Sequence, residues 1–377
     1  KSAALASVPS ALASTPAALD KRSERVQTSY VYDVLGTVDE LCLDHDSSLL
    51  PPKKYFLAPK ERLMRYNRKN GDVFDTEAPH TTRALLGLHP CDINALLLLD
   101  LVLADGAGGG SAAGSGYVDP YWEAARASTF IVGVSCMPTA TCFCKTFDAD
   151  EVHRGFDLFL TDLGDRWLVS CQTVAGAAIL DRYVTTRDTT PTDLADFQLR
   201  TQRYKAAFSD DSLPTTDQLP LLYDAKYEWP LFDDIGETCL SCGACSMVCP
   251  VCYCFDVRDE LEADGEAGKR CRNWDSCLFS EFAEVAHGHN FRPTRASRVR
   301  YRFYHKFVGN FTRFGKMLCV GCGRCSTACK VNIDPRRIIA ALEEVTADDT
   351  RQDSKQGTSQ DSKQKTTSQK AHTADVV

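Results

Sequence analysis

The grouping of the cysteines restricts the chemistry of this chain more than any other feature of its sequence. Eight of its 18 cysteines form two similar runs, Cys239–Cys249 and Cys319–Cys329, and both follow the spacing C-x2-C-x2-C-x3-C. This spacing is typical of segments that hold [4Fe–4S] clusters through thiolates. Zinc is the alternative, although zinc sites usually separate two C-x2-C pairs instead of crowding four cysteines together. The runs therefore predict two iron–sulfur clusters.

The same spacing rule predicts the ligands of each cluster, because the fourth cysteine of such a run reaches across to the other cluster. The first cluster is predicted to take Cys239, Cys242, Cys245 and Cys329. The second is predicted to take Cys319, Cys322, Cys325 and Cys249. Small residues inside the runs (Gly243, Gly321 and Gly323) are expected to let backbone N–H groups approach the sulfurs, which helps to set the reduction potential.

Two further groups of cysteines offer possible metal sites. The first, in turn-like segments, consists of Cys91, Cys136, Cys142 and Cys144. It is a possible third cluster site, or else these are buried cysteines acting as small hydrophobic residues. Asp92 beside it is expected to support the site or the fold. The second group consists of Cys252, Cys254, Cys271 and Cys277, and it begins three residues after Cys249. Cys42 and Cys171 fit no pattern and are expected to be structural.

The histidines and arginines near the runs have less specific patterns. His287, His289 and His305 lack the close Cys/His pairing of a Rieske centre, so hydrogen-bonded structural roles are expected. A basic stretch is formed by Arg292, Arg295, Arg298, Arg300, Arg302 and Lys306. Contact with an acidic partner, or compensation of anionic thiolate clusters, is slightly favoured over a solvated face.

Length and composition describe a globular protein with two domains. The chain has 377 residues, of which 44% are hydrophobic and 25% charged. Its net charge of -8 argues against nucleic acid as the main partner. The longest apolar stretch is interrupted by Asp100, so no membrane span is expected. Clustered C-x2-C spacing favours a reducing compartment, hence the cytoplasm, or an organelle matrix if residues 1–28 are a targeting remnant.

The predicted fold class is α+β. A disordered extension (1–28) precedes a mixed α/β domain (29–235), which contains the possible third site. A helical-ferredoxin-type two-cluster domain (236–345) follows, with a 69-residue insertion between the runs, Pro250 to Leu318, and a disordered tail (346–377). Strands are predicted at Thr129–Val134 and Arg166–Val169, and a flexible loop at Ala104–Gly116. Helices are predicted at Asn94–Leu103, Thr192–Ala207, Ser280–Ala286, Ser297–Phe307 and Pro335–Glu344, the last capped by Asp334.

Several motifs together resemble a known family. They are Gly87–Asp92, Cys142–Cys144, Asp157–Asp165, Cys249–Asp256, Trp274–Cys277, Gly288–Arg292, His305–Phe307 and Cys319–Cys325. Over residues 29–345 the chain resembles the β (iron–sulfur) subunit of cytoplasmic sulfhydrogenase-type [NiFe] hydrogenases. The A subunit of anaerobic sulfite reductase is a related protein. Two positions depart from the family pattern: Lys330 replaces a proline, and Cys271 replaces a residue other than cysteine.

The resemblance implies an electron-transfer subunit without catalytic residues of its own. It would relay single electrons through [4Fe–4S] clusters between a flavin/NAD(P)H subunit and the small and large subunits of a [NiFe] hydrogenase. The alternative is the iron–sulfur subunit of a sulfite or polysulfide reductase, with a sirohaem subunit as the partner. No G-x-G-x-x-G after a strand and no P-loop is present. A chain that is an enzyme by itself would need an open cluster position, and a zinc-stabilised interaction module is the third possibility.

Overall fold

Two β-sheets and a helical region make up the part of the chain that the computed structural model describes, residues 2–5, 30–75, 81–104, 118–208, 213–214 and 216–342. The strands are β1 (Ser2–Leu5), β2 (Lys60–Asn67), β3 (Val73–Asp75), β4 (Arg83–Leu88), β5 (Thr129–Val134), β6 (Leu158–Asp162), β7 (Trp167–Cys171), β8 (Thr186–Asp188), β9 (Phe255–Leu261) and β10 (Ala267–Trp274). The α-helices are α1 (Pro90–Leu103), α2 (Pro120–Ala127), α3 (Val174–Tyr183), α4 (Pro191–Ala206), α5 (Leu219–Ala225), α6 (Leu231–Thr238), α7 (Ala244–Met247), α8 (Arg295–Tyr304), α9 (Asn310–Phe314) and α10 (Arg324–Ala328), and a further helix covers 335–342.

The first sheet has the strand order β4-β5-β6-β7-β1-β8. β4, β5 and β6 are parallel, and the remaining pairs are antiparallel. β5 is buried along most of its length, as expected for an apolar central strand with both faces covered. Helix α1 packs against it through a core that includes Leu96 and Leu99, with Trp122 from α2. Asp100 joins the two helices, because it accepts hydrogen bonds from Trp122 Nε1 and Arg126 at 2.8 and 3.0 Å.

The second sheet is antiparallel, with the order β3-β2-β10-β9. It pairs strands from the N-terminal half with strands from the segment between the two cysteine runs. Arg272 of β10 is buried and forms ion pairs with Glu61 of β2 and with Asp119, which caps α2. A domain boundary near residue 235 would therefore divide this sheet. The segment between the runs thus contributes β9 and β10 to a sheet that joins the two halves of the chain.

Helices from the C-terminal half form a separate apolar core. α8 continues into a π-helical turn at His305–Gly309, and its Phe303 packs with Phe307 of that turn. Tyr223 of α5 stacks on Phe307 with ring centroids 4.8 Å apart. The helix at 335–342 closes this core with Ile339 and Leu342, both fully buried. The two cysteine runs lie along the edge of this core.

The mixed α+β class is confirmed, as are most of the predicted elements. The strand Thr129–Val134 and the helices beginning near residues 94, 192, 297 and 335 are present, and Asp334 accepts from the N–H of Arg336 as a cap. The helix predicted at Ser280–Ala286 is wrong, because that segment contains only 3-10 turns, Glu281–Ala283 and Ala286–Gly288.

The ends of the chain are described only in part. The predicted disordered extension contains β1, which pairs with β7 and β8. The rest of that extension, most of the loop predicted at Ala104–Gly116 and the tail 346–377 lie outside the described residues. Within the described residues, no helix combines the length and the apolar character that a membrane crossing requires.

Candidate metal centres

The two cysteine runs adopt the same backbone conformation. Two residues after the first cysteine of each run, Ser241 and Gly321 adopt left-handed conformations with φ of 51° and 60°. Each donates its N–H to the Sγ of that first cysteine at 3.4 Å. Gly243 and Gly323, with φ of 71° and 73°, then precede the short helices α7 and α10. The repeated spacing therefore produces a repeated local structure with a backbone donor aimed at sulfur.

Each predicted ligand set lines one cavity. The first cavity is lined by Cys239, Cys242, Cys245 and Cys329 together with Cys325, Arg302 and apolar side chains. The second is lined by Cys249, Cys319, Cys322 and Cys325, again with Arg302. Both sets include the cysteine that comes from the other run. Because Cys325 and Arg302 line both cavities, the two share a wall.

The chemistry of these cavities fits thiolate-bound iron. Burial raises the pKa of Cys322 to about 12 and also raises the pKa of Cys245 and of Cys319. Such thiols stay protonated until a cation such as iron compensates the thiolate charge. Among the described side chains, no three from His, Cys, Asp or Glu are placed to hold a single metal ion.

Two buried cations line these cavities, Arg302 both of them and Lys306 the second. Arg302 of α8 donates to Ser246 Oγ and to the backbone oxygen of Cys245, both at 3.1 Å. Lys306, four residues later on the same helical face, donates to Cys249 Sγ at 3.3 Å and to the Leu318 carbonyl at 2.8 Å. Their side chains are 6% and 7% exposed. Part of the predicted basic stretch therefore faces the cysteines, where positive charge stabilises thiolates.

The other basic side chains of the stretch have different surroundings. Arg298 is buried and donates to the carbonyl oxygens of Arg292 and Pro293, so it supports the turn before α8. Arg300 lies within 3.6 Å of acidic oxygens of Glu228 and Asp233. A role in binding an acidic partner is thus less supported than the role of Arg302 and Lys306 beside the cysteines.

The four N-terminal cysteines lie together. Cys91 is the second residue of α1, which follows β4, and Cys136, Cys142 and Cys144 follow β5. Because the carboxyl ends of neighbouring parallel strands meet at one edge of a sheet, these segments converge. Cys136 and Cys144 interact electrostatically with Cys142, and Cys91 with Cys144. Burial raises the pKa of Cys136 to about 12. The hydroxyl of Tyr204, from α4, lies 4.0 Å from Cys144 Sγ.

The loop that carries Cys142 and Cys144 packs directly on the second cysteine run. Phe143 donates its N–H to the Gly321 carbonyl at 2.8 Å. A Cβ at Gly321 would lie 2.3 Å from the Phe143 carbonyl oxygen, and one at Gly323 would lie 2.4 Å from that of Thr141. The absence of side chains at these two glycines is what allows the two loops to touch.

A buried ion pair joins the same two regions. Asp92, next to Cys91, binds the guanidinium of Arg324 in the second run, with contacts of 2.8 and 3.0 Å. Arg324 also donates to the carbonyl and hydroxyl oxygens of Ser48. Asp92 is 1% exposed and Arg324 is 6% exposed. The predicted supporting role of Asp92 thus has a defined partner.

The third cysteine group is brought together only in part. Cys252, Cys254 and Cys277 line one cavity with His305, Arg302 and Lys306. Cys271 does not line it, because this residue lies inside β10, where it pairs with Arg62 and Arg258. Interaction with the Cys254 thiol lowers the pKa of Cys277 below its ordinary value.

The other histidines and cysteines singled out in the sequence, His287, His289, Cys42 and Cys171, do not line these cavities. His289 packs edge-on against Phe291, and His287 is exposed in a turn. Cys42 and Cys171 each donate to a nearby backbone carbonyl at 3.4 Å, those of Asp44 and Thr173.

Sequence reasoning missed Lys53, Arg324 and Tyr204. Lys53 is 2% exposed, donates to the Cys252 carbonyl at 2.6 Å and lies 4.1 Å above the ring centroid of Trp274. The sequence around Lys53 does not indicate this burial, because the residues that Lys53 contacts are about 200 positions away in the chain. Arg324 stands inside a cysteine run, a position that could have drawn attention to it.

Comparisons with known proteins agree with the geometry. Residues 238–333 match the family described as 4Fe-4S dicluster domain. The chain is 35% identical over 325 residues to "Sulfhydrogenase 2 subunit beta" of Pyrococcus furiosus, a match that covers 85% of this chain and 91% of the relative. No solved structure matches the chain. The resemblance inferred from the motifs is confirmed: the chain belongs to the sulfhydrogenase beta subunit family, as an electron-transfer subunit that carries [4Fe–4S] clusters.

Proposed function

We propose that the eight cysteines of the two runs bind two [4Fe–4S] clusters in the predicted crossed arrangement, and that single electrons pass between them. The observation that carries this proposal is the pair of cavities, each lined by one complete predicted ligand set. The clusters supply the redox chemistry, and the protein contributes ligands, burial and charge. The wall shared through Cys325 and Arg302 would keep the two centres close enough for outer-sphere transfer.

The proposed electron path continues into the N-terminal half. Cys91, Cys136, Cys142 and Cys144 are proposed as ligands of a third cluster. The contact of their loop with Gly321 and Gly323 supports this, because it brings the group beside the second cluster. Cys91 also interacts electrostatically with Cys322, a predicted ligand of the second cluster, which supports the same closeness of the two sites. The helices around the two runs favour a helical-ferredoxin-type domain.

The first cluster is proposed to exchange electrons with a partner subunit. Cys242 is exposed, and the neighbouring Leu240 is 57% exposed. The partners would be a flavin/NAD(P)H subunit and the small and large subunits of a [NiFe] hydrogenase, in a complex working in the cytoplasm. The name of the Pyrococcus furiosus relative supports a hydrogenase over a sulfite reductase.

Replacing Cys242 with Ser tests the two-cluster assignment in the assembled complex. We expect loss of one cluster's electron paramagnetic resonance signal, about four fewer iron atoms per chain, and loss of coupling between NAD(P)H and the hydrogenase. Cys171→Ser is the matched control and should retain all three. Unchanged iron content and turnover in Cys242→Ser would contradict the assignment.

The same iron measurement tests the third site. Cys91→Ala should also lose about four iron atoms while both signals of the dicluster domain persist. Cys42→Ala serves as its control. An unaltered iron count in Cys91→Ala would show that the N-terminal cysteines bind no cluster and are buried core residues.

A further inference from the structure

A cavity outside the two ferredoxin-type sites is lined by three cysteine thiols. Cys252 and Cys254 reach it from the C-x-C segment after the first run, and Cys277 reaches it from the turn after β10. The Asp275 N–H donates to the Cys254 carbonyl at 2.9 Å and so ties these two segments together. Two chain segments joined in this way thus present three thiols to one cavity, which a group larger than a single metal ion could bridge.

We propose that this cavity binds a further [4Fe–4S] cluster through Cys252, Cys254 and Cys277, with a fourth iron that no cysteine of the chain ligates. The proposal rests on the proposed function only in assuming that the chain is loaded with clusters. The sequence pattern suggested a site with four thiolates, the fourth from Cys271. The proposed site has three, because Cys271 lies within β10 and does not line the cavity.

His305 lines the cavity but is unsuited to be the fourth ligand. Asn310 Nδ2 lies 2.7 Å from the His305 carbonyl oxygen and 3.2 Å from its Nε2. Since the carbonyl can only accept, the amide nitrogen is the donor, and Nε2 accepts its second hydrogen. A neutral ring then carries its proton on Nδ1 and is a hydrogen-bond donor. The fourth iron is therefore left to a small exogenous ligand.

Three buried cations lie near the thiols of this cavity. Arg302 from α8 lies 3.8 Å from Cys252 Sγ, and Lys306 from the following turn lies in the cavity wall. Lys53 is not part of the wall, but its Nζ donates to the carbonyl of Cys252. Three buried cations around three thiols are costly unless an anionic group fills the space between them. A cluster bound by three thiolates is such a group.

The cavity is also placed for electron transfer. Val251, Arg302 and Lys306 line both this cavity and that of the second cluster. Lys306 also donates to Sγ of Cys249, a predicted ligand of the second cluster, at 3.3 Å. The proposed cluster is thus a side branch of the path through the second cluster, with one iron able to bind a ligand.

Metal analysis of two variants in the assembled complex tests the site. Cys277→Ala should lose about four iron atoms and the matching acid-labile sulfide per chain, whereas Cys271→Ala should lose neither. Retention of both ferredoxin-type signals in Cys277→Ala shows that the variant is folded. If Cys277→Ala keeps all its iron, or loses zinc instead, the proposal is overturned. An equal loss of iron from Cys271→Ala would overturn the three-thiolate ligation.

Oxidation with ferricyanide gives a second readout, which begins with the wild-type protein. A [4Fe–4S]²⁺ cluster with one iron lacking a thiolate gives one electron to ferricyanide and releases one Fe²⁺, leaving [3Fe–4S]⁺. We expect the paramagnetic signal of this product from the wild type and from Cys271→Ala, but not from Cys277→Ala. No such signal from the wild type would overturn the open position. Loss of the signals that depend on Cys242, by contrast, reports on the proposed function alone.

Discussion

The two ferredoxin-type loops share a backbone but differ in their surroundings. At the position after the first cysteine, Leu240 of the first loop is 57% exposed, whereas Val320 of the second is 2% exposed. Ala244 in the first loop corresponds to Arg324, which forms the buried pair with Asp92. The comparison teaches that cysteine spacing determines the loop, whereas contacts from distant segments determine whether it faces solvent or the interior.

The two loops are also held in place differently. The first is held by the buried Arg302, which donates to the Cys245 carbonyl at 3.1 Å, and at its start by the exposed Arg295, which donates to the Cys239 carbonyl at 3.0 Å. The second is covered by the loop of Phe143 and held by the Asp92–Arg324 pair. We infer that the first loop carries the cluster that exchanges electrons with a partner subunit. The second loop carries a cluster in the interior of the electron path.

Breaking the buried ion pair should have the largest effect. Arg324→Gln leaves the carboxylate of Asp92 charged and unpaired in the interior, which costs about 3–5 kcal/mol. Guanidinium unfolding of the cluster-loaded protein without oxygen should show a lowered midpoint. The matched change in the first loop, Arg295→Gln, removes one exposed hydrogen bond and should cost about 1 kcal/mol or less. Equal losses would remove the proposed difference between the loops.

Exchanging Ser241 and Gly321 sharpens the comparison. Both residues have the same left-handed conformation, so a side chain is tolerated there by the backbone. Gly321→Ser should nevertheless cost about 1–3 kcal/mol, because its Cβ would collide with the Phe143 carbonyl. Ser241→Gly removes only the hydrogen bond from Arg298 to the Ser241 hydroxyl and should cost about 1 kcal/mol or less. A neutral Gly321→Ser would show that the two loops do not pack as described.

Removing a buried cation should have a smaller effect, on the reduction potential. Lys306→Met takes away a positive charge 3.3 Å from Cys249 Sγ. Reduction adds negative charge to a cluster, so the reduction potential of the second cluster should fall. The expected fall is roughly 60 mV, which for one electron is a tenfold change in the equilibrium constant of reduction. A redox titration followed by paramagnetic resonance measures this. Lys330→Met, an exposed lysine at the first cavity, should shift the first cluster much less because water and salt screen it.

Most of the candidate sites could be predicted, because the residues that define them are close together in the sequence. A spacing of two or three residues between cysteines is enough to specify a loop that wraps a cluster. The second sheet could not be predicted from local patterns, since β10 pairs with β2, about 200 residues earlier, and β9 is largely exposed and charged. For the same reason Cys271 was grouped with cysteines that it does not meet.

By itself, the sequence determined the cofactor type and the family, and it predicted the two crossed ligand sets, because these depend on side-chain chemistry at short separations. The tertiary structure alone decided which loop is buried and that three and not four thiols share the further cavity. It also decided that Arg302 and Lys306 line this cavity and that Lys53 binds the backbone of Cys252. Burial and counter-charge arise where distant segments pack together, and no short stretch of sequence contains that information.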